Sequence, residues 1–125
     1  IKVRRANRNL IIKIFQKKKI NNFFNIINEN KYVKPSWFGI PILISKELKR
    51  DKIINNLEKK GIETRPIISG NFLKQPSIRK YKLNKNIKMK NAEYINRKGF
   101  FIGLPTKPLE KTKVRKLAKI FEQSI

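Results

Sequence analysis

The residues whose types and spacing best suit a binding site lie in one short segment, GIETRPIISGNFLKQP, residues 61–76. Arg65 directly precedes Pro66, which biases it toward extended backbone at the end of a predicted strand. An arginine held in this way can offer two parallel N–H donors to a phosphate, a carboxylate or a sugar diol. The Gly70-Asn71 pair that follows is also a common turn pair, so the residues alone allow two interpretations, a turn or part of a binding site.

Other catalytic chemistry has little support in the composition. The 125 residues include no His and no Cys, which removes the commonest general base, thiolate nucleophiles and disulfides. The eight carboxylates are scattered, and none has the spacing of a metal site. The chain also has no glycine-rich phosphate loop. A self-contained active site is therefore not expected.

The formal net charge of +24 indicates either a polyanionic partner or a compositional bias. Of the 32 basic residues, 24 are lysines, and they occur throughout the chain rather than in one patch. This distribution favours the bias, so any binding to nucleic acid is expected to be non-specific. Every apolar run is too short for a signal peptide or a spanning helix, which predicts a soluble, cytoplasmic protein without a membrane partner.

Hydrophobic periodicity predicts the elements that must position the segment 61–76. Apolar residues recur at helical spacing in four segments, and uncharged runs rich in β-branched and aromatic residues occur in three. The predicted helices are residues 2–19, 45–60, 88–98 and the C-terminal stripe that follows Pro108. The predicted strands are residues 37–44, 62–68 and 100–104. The order predicts an α+β fold, with a small, mainly antiparallel sheet of about three strands and helices on one face.

Three local features refine this prediction. Pro41 lies inside the first predicted strand and cannot donate a ladder hydrogen bond, which predicts an edge position or a bulge. Ser45 is the expected N-cap of the second helix. Residues 69–87 lack a period and are rich in Lys, Asn, Pro and Ser, so a long loop is predicted there.

Aromatic residues offer the one specific indication of nucleic-acid recognition. RKGFFIGL, residues 97–104, partly matches the motif with which RNA-recognition domains stack bases on one sheet face. Phe101 occupies a position that needs a small residue, so a buried core strand is the favoured interpretation. The pair Trp37 and Phe38 is likewise favoured as core or interface over a stacking platform. A free-standing basic RNA-binding domain is kept as the alternative function.

Three segments in order are similar to the C-terminal small domain of the DegT/DnrJ/EryC1/StrS family: PSWFGIPILI, GIETRPIISGNFLKQP and GLPTKPLEKTKVRKL. The pattern RR-x-N-x-x-L at residues 4–10 resembles the long helix that leads into that domain, so the resemblance covers essentially the whole chain. These are fold-type-I enzymes that depend on pyridoxal phosphate (PLP) and act on nucleotide-linked keto-sugars. Residues 64–71 most resemble the branch that contains keto-deoxysugar 3-dehydratases and perosamine-type aminotransferases.

The resemblance implies part of a sugar-nucleotide aminotransferase or 3-dehydratase of surface polysaccharide (O-antigen) biosynthesis, homodimeric when intact. Because the chain opens on Ile1 rather than Met, a C-terminal fragment is expected. Residues 1–22 would be a lead-in helix from a missing large domain, and residues 23–125 the small domain. The large domain would hold PLP and the catalytic residues, so this chain alone is expected to contain none and to be inactive.

The resemblance also assigns a substrate-binding role to part of the opening segment. The implied contacts with the nucleotide sugar are Arg65, Ser69, Gly70 and Asn71. Arg65 is expected to touch the substrate, and Asn71 to shape the loop or bind a sugar hydroxyl. Trp37 and Phe38 are weaker candidates for the wall of the cleft. The choice between amination and dehydration, and the identity of the sugar nucleotide, stay open.

Overall fold

The computed structural model describes residues 1–81 and 87–125, which form four α-helices and one four-stranded sheet. The helices are α1 (Lys2–Lys17), α2 (Arg50–Lys59), α3 (Lys90–Lys98) and α4 (Lys111–Glu122). The strands are β1 (Phe24–Ile26), β2 (Gly39–Ile44), β3 (Thr64–Arg65) and β4 (Gly99–Gly103). Short 3₁₀ helices span Ile20–Asn22, Phe72–Lys74 and Pro76–Lys80. None of the helices in these described ranges is long and apolar enough to cross a membrane.

The strands are arranged in the order β1-β2-β4-β3, and every neighbouring pair is antiparallel. The predicted α+β class is therefore confirmed, with four strands in place of about three. The sequence pattern misses β1 because three residues are too few to show a period. Its place is set by pairing with β2, where Phe24 lies opposite Ile44.

One face of the sheet carries the hydrophobic core. Ile40, Ile42 and Ile44 alternate along β2 and are buried, and the first two lie opposite Ile102 and Phe100 of β4. Helices α1, α2 and α4 cover this face, which is where the sequence predicts the helices. They contribute Ile11, Phe15, Ile53, Leu57, Val114, Ala118 and Phe121 to the core. Helix α3 contributes no buried residue.

Several predicted boundaries are wrong for local reasons. Ser45 does not cap α2, because a turn in which its carbonyl accepts the Leu48 N–H comes first and the helix begins at Arg50. The second predicted strand shrinks to two residues, since Pro66 has no N–H to continue the ladder. The loop predicted over residues 69–87 holds two 3₁₀ helices in its described part, and residues 82–86 lie outside the described residues.

Pro41 lies in a central strand, although its presence predicts an edge or a bulge. Continuing the register of β1 places Ile27 opposite Pro41, and the Ile27 N–H donates to the Pro41 carbonyl over 3.5 Å. The return bond is impossible because proline has no N–H. The guanidinium of Arg8 donates to the Ile27 carbonyl instead, with 2.6 Å between Nη2 and O. A side chain from α1 thus supplies the donor that β2 lacks.

Asn7, buried beside Arg8 on α1, fixes the connector between β4 and α4. Its Nδ2 donates to the carbonyls of Pro105 and Lys107, at 3.1 and 2.9 Å, and its Oδ1 accepts the Leu109 N–H at 2.9 Å. A buried amide with partners on both its oxygen and its nitrogen stabilises one arrangement of the chain around it. The RR-x-N-x-x-L pattern therefore has a structural function in this domain.

Arg8→Met tests the replacement donor. Methionine keeps much of the apolar stem but leaves the Ile27 carbonyl without its bond. We expect the free energy of unfolding to fall by about 1–3 kcal/mol, because a partly buried acceptor and the carboxylate of Glu29 each lose a partner. Urea unfolding followed by circular dichroism measures it, with the exposed Arg115→Met as the matched control. Equal losses for the two variants would contradict the assignment.

Candidate functional site

The second face of the sheet carries the candidate site. Because side chains alternate along a strand, Phe101 points away from the core, and the register places Pro41 and Arg65 on either side of it. Phe38 meets Phe101 edge to face, with 5.5 Å between ring centroids. An apolar cavity of about 210 Å³ adjoins these rings, and it is lined by Trp37, Phe38, Gly39, Pro41, Ile67, Ile68 and Phe101.

Arg65 stands on this face as the last residue of β3, with about two thirds of its side chain exposed. Both its Nε and its Nη2 donate to one carboxylate oxygen of Glu63, at 2.9 and 2.7 Å. The Glu63 side chain is itself 75% exposed, so the pair is a surface ion pair of little net stability. An incoming phosphate or carboxylate can therefore take the place of Glu63 at little cost.

The aromatic candidates differ in how exposed their side chains are to solvent. Trp37 is half-buried beneath the Arg8 guanidinium, which lies 4.5 Å from the centre of its ring, and its Nε1 donates to the Glu29 carboxylate. Phe38 is 59% exposed. Phe100 faces the core and is fully buried, so the RKGFFIGL strand cannot offer it to a base. The RNA-binding alternative has no support from this arrangement.

A tight turn connects Arg65 to the rest of the candidate loop. Ser69 and Gly70 both have left-handed backbone, with φ of 64° and 49°. The Gly70 N–H donates to the Ile67 carbonyl over 3.0 Å, and the Gln75 side chain donates to the Ser69 carbonyl over 3.1 Å. Ser69 is exposed at the tip of this turn.

Asn71 turns inward rather than toward solvent and is only 7% exposed. Its Oδ1 accepts the Leu73 N–H at 3.1 Å and caps a 3₁₀ helix, while its Nδ2 donates to Glu93 at 3.2 Å. The other carboxylate oxygen of Glu93 accepts from the Lys74 ammonium at 2.7 Å. These bonds with Lys74 and then with Asn71 hold the pKa of Glu93 below its ordinary value.

Two residues of α3, neither of which the sequence singled out, contact this loop. Glu93 binds Asn71, and Asn96, one turn further along, contacts Gly70 and Asn71. The only trace of this role in the sequence is a pair of polar residues three positions apart on one helix face. Within the described ranges, no three acidic residues come together as a metal site.

Comparison with known proteins identifies the class to which this geometry belongs. The fold superimposes on a crystal structure of GDP-4-keto-6-deoxymannose-3-dehydratase with a trapped PLP-glutamate geminal diamine, with a TM-score of 0.80 and 31% identity. The match covers 96% of this chain and 30% of the other. The small antiparallel sheet and its helices therefore form a fold that also occurs in part of a PLP enzyme.

Sequence relatives agree with the structural match. GDP-4-keto-6-deoxy-D-mannose 3-dehydratase of Escherichia coli is 41% identical over 73 residues, which cover 54% of this chain and 18% of the relative. The enzyme of the same name from Yersinia pseudotuberculosis is 32% identical over 107 residues, covering 82% of this chain and 26% of the relative. This chain thus corresponds to a minor part of the length of these enzymes.

A family model described as the DegT/DnrJ/EryC1/StrS aminotransferase family matches residues 1–121. The chain therefore belongs to this family, which confirms the resemblance of its three segments. The boundary between a lead-in helix at residues 1–22 and a small domain at residues 23–125 stays a prediction.

None of the described lysines has the environment that a Schiff base with PLP requires. A lysine that forms a Schiff base needs a desolvated ammonium with a lowered pKa. None of the lysines that the structure describes is buried. Lys98, among the less exposed of them, is half-buried, and its ammonium donates to the carbonyls of Lys46 and Leu48.

Gly70→Ala should destabilise the domain more than Gly61→Ala. Both glycines have positive φ, so each alanine costs about 1–2 kcal/mol from the backbone alone. A Cβ at Gly70 would also lie 2.3 Å from Oδ1 of Asn96, whereas nothing lies within 4 Å at Gly61. Urea unfolding of the two variants isolates this contact, and equal losses would show that Asn96 is free to move aside.

Glu93→Gln should reduce the acid sensitivity of the domain. Since the pKa of folded Glu93 is lowered, its stabilising contribution is complete above its ordinary value of 4.5 and is lost as the pH falls through the folded pKa. Urea midpoints measured from pH 7 down to pH 3 should therefore fall less steeply for the variant. Glu110→Gln, at an exposed carboxylate, is the control. Parallel curves for Glu93→Gln and the unsubstituted chain would refute the coupling.

Proposed function

We propose that this chain is the C-terminal small domain of a PLP-dependent enzyme that acts on a nucleotide-linked keto-deoxysugar. The observation that carries the proposal is the similarity of nearly the whole chain to a 3-dehydratase structure that contains a PLP-glutamate adduct. In this proposal residues 1–22 lead in from a large domain, which holds PLP and the catalytic groups. In this proposal the chain alone is inactive, because the catalytic groups lie in that large domain.

Arg65 is the proposed contact with the substrate. It combines an extended backbone fixed by Pro66, an exposed guanidinium and a carboxylate partner that is itself exposed. The planar fork suits a phosphate group or a sugar diol, which can accept two parallel hydrogen bonds. Glu63 would occupy the fork until the substrate arrives and would then be released to solvent.

The loop at Ser69, Gly70 and Asn71 is proposed to close the same site. Ser69 is exposed at the tip of the turn, where its hydroxyl can reach a ligand. The side-chain amide of Asn71 is already hydrogen-bonded to Leu73 and Glu93, so its proposed role is to shape the loop and not to bind a sugar hydroxyl. Phe38 is the better candidate for the cleft wall, since Trp37 is tied to Arg8 and Glu29.

The reaction proposed first is 3-dehydration, with amination as the alternative. The two sequence relatives at or above 30% identity are both named as 3-dehydratases of a GDP-linked keto-deoxysugar. The family itself is named for aminotransferases. A GDP-linked substrate, a homodimeric enzyme in the cytoplasm and a role in surface polysaccharide synthesis complete the proposal.

The full-length protein should bind PLP and show its visible absorbance. Arg65→Lys should then raise the KM for the nucleotide sugar about tenfold with little change in absorbance, because a point charge replaces a bidentate fork. Steady-state kinetics and the absorption spectrum measure the two effects. Glu63→Gln is the matched control, and we expect it to leave KM unchanged or lower it, since it frees Arg65.

Two results would overturn the proposal. A full-length protein that bound no PLP would exclude the enzyme class. An Arg65→Lys variant with unchanged KM would exclude this residue as the substrate contact while leaving the class intact.

A further inference from the structure

We infer that Asn96 on α3 is a positioning residue, which sets the left-handed turn at Ser69 and Gly70 and so presents the loop to the nucleotide sugar. The substrate half of this inference rests on the proposed function. The structural half, that Asn96 fixes the turn, rests only on contacts in the domain.

The turn needs a support because its backbone is unfavourable. Ser69 has φ of 64° and Gly70 follows with φ of 49°. Only glycine adopts this region freely, and a serine stays there when the surrounding structure over-determines it. The bond from the Gly70 N–H to the Ile67 carbonyl closes the turn, and the Gln75 side chain donates to the Ser69 carbonyl. Neither bond connects the turn to the sheet or to α3.

Asn96 supplies the missing support from the outside of the turn. Its side chain packs so closely against Gly70 that a Cβ there would lie 2.3 Å from Oδ1 and 3.0 Å from Cγ. The same Oδ1 accepts the Asn71 N–H over 3.5 Å, a long hydrogen bond. One side chain therefore fills the space that a larger residue 70 would need and accepts from the next amide.

Asn96 is itself held in place. Its backbone carbonyl accepts from Nη1 of Arg50 on α2 at 2.8 Å, and the same nitrogen lies 3.4 Å from the Gly99 carbonyl. One turn earlier on α3, the Glu93 carboxylate accepts a hydrogen bond from the side-chain amide of Asn71. Since α3 continues directly into β4, the support is fixed to the same strand that carries Phe101 on the candidate face.

A positioning role for Asn96 predicts a change in KM, whereas a residue that only stabilises the fold would not change it. A loop already held in its binding conformation loses less entropy when the ligand binds. Losing the support should therefore weaken substrate binding and raise KM, whereas kcat depends on groups outside this loop. Asn96 shares no hydrogen bond with Arg65, whose described partner is Glu63, so Asn96 acts through the turn and is not a catalytic residue.

Amide hydrogen exchange in the 125-residue chain tests the structural half. Asn96→Leu removes the acceptor at similar size, and Asn96→Asp keeps an oxygen at the same position. For the leucine variant we expect exchange at Gly70 and Asn71 to become about tenfold faster, with core amides of β2 unchanged. The aspartate variant should stay within about threefold of the unsubstituted chain. Unchanged exchange in the leucine variant would overturn the inference.

Kinetics of the full-length protein test the substrate half. Asn96→Leu should raise KM for the nucleotide sugar about five- to tenfold with kcat and PLP absorbance nearly unchanged, and Asn96→Asp should restore most of it. Faster exchange with an unchanged KM would overturn the positioning role. A protein without PLP would refute the proposed function and the substrate role with it, but the exchange measurement would still decide whether Asn96 sets the turn.

Discussion

One hydrogen bond, from the Arg8 guanidinium to the Ile27 carbonyl, lets a proline lie in the middle of this sheet. Without it, the carbonyl opposite Pro41 would be left without its ladder donor. Burial lowers the pKa of Arg8, and the carboxylate of Glu29 acts in the opposite direction. Arginine stays protonated despite such a shift, which a lysine in the same place would not guarantee. The same guanidinium also covers Trp37, so it links the core helix to the edge of the candidate site.

The consequence for function is a sheet with two different faces. Three helices fill one face, whereas the other keeps Phe101 and the end of β3 accessible. Close packing extends to this face as well, because a Cβ at Gly39 would lie 2.7 Å from the Phe101 ring. Arg65 lies opposite Phe101 on this packed face, whereas the chain beyond Pro66 leaves the sheet. Helix α3 contacts that loop through Glu93 and Asn96, and it contributes no buried residue to the core.

The sequence predicts the core and most helices because their signal is local. The uncharged run at residues 37–44, rich in β-branched and aromatic residues, predicts a buried strand without reference to any other strand. The position of Pro41 depends instead on a residue 33 positions earlier, Arg8, whose contacts no local pattern can show. The resemblance predicted that residues 69–71 contact the substrate, but the inward orientation of Asn71 depends on Glu93, 22 residues later. Long-range polar contacts are thus what the sequence leaves undetermined.

The large positive charge of the chain means that charge alone cannot make one cation selective for a ligand. With 32 basic and 8 acidic residues, the domain attracts any polyanion, and at physiological salt that attraction is screened within about 8 Å. Charge alone therefore cannot tell a nucleotide sugar from another phosphate. In the proposal, Arg65 differs from the other exposed cations because Pro66 restricts its backbone and because the turn that follows packs against Asn96. In the proposal, selectivity in such a basic domain comes from the restricted geometry of a few residues, at the end of β3 and in the turn that follows it.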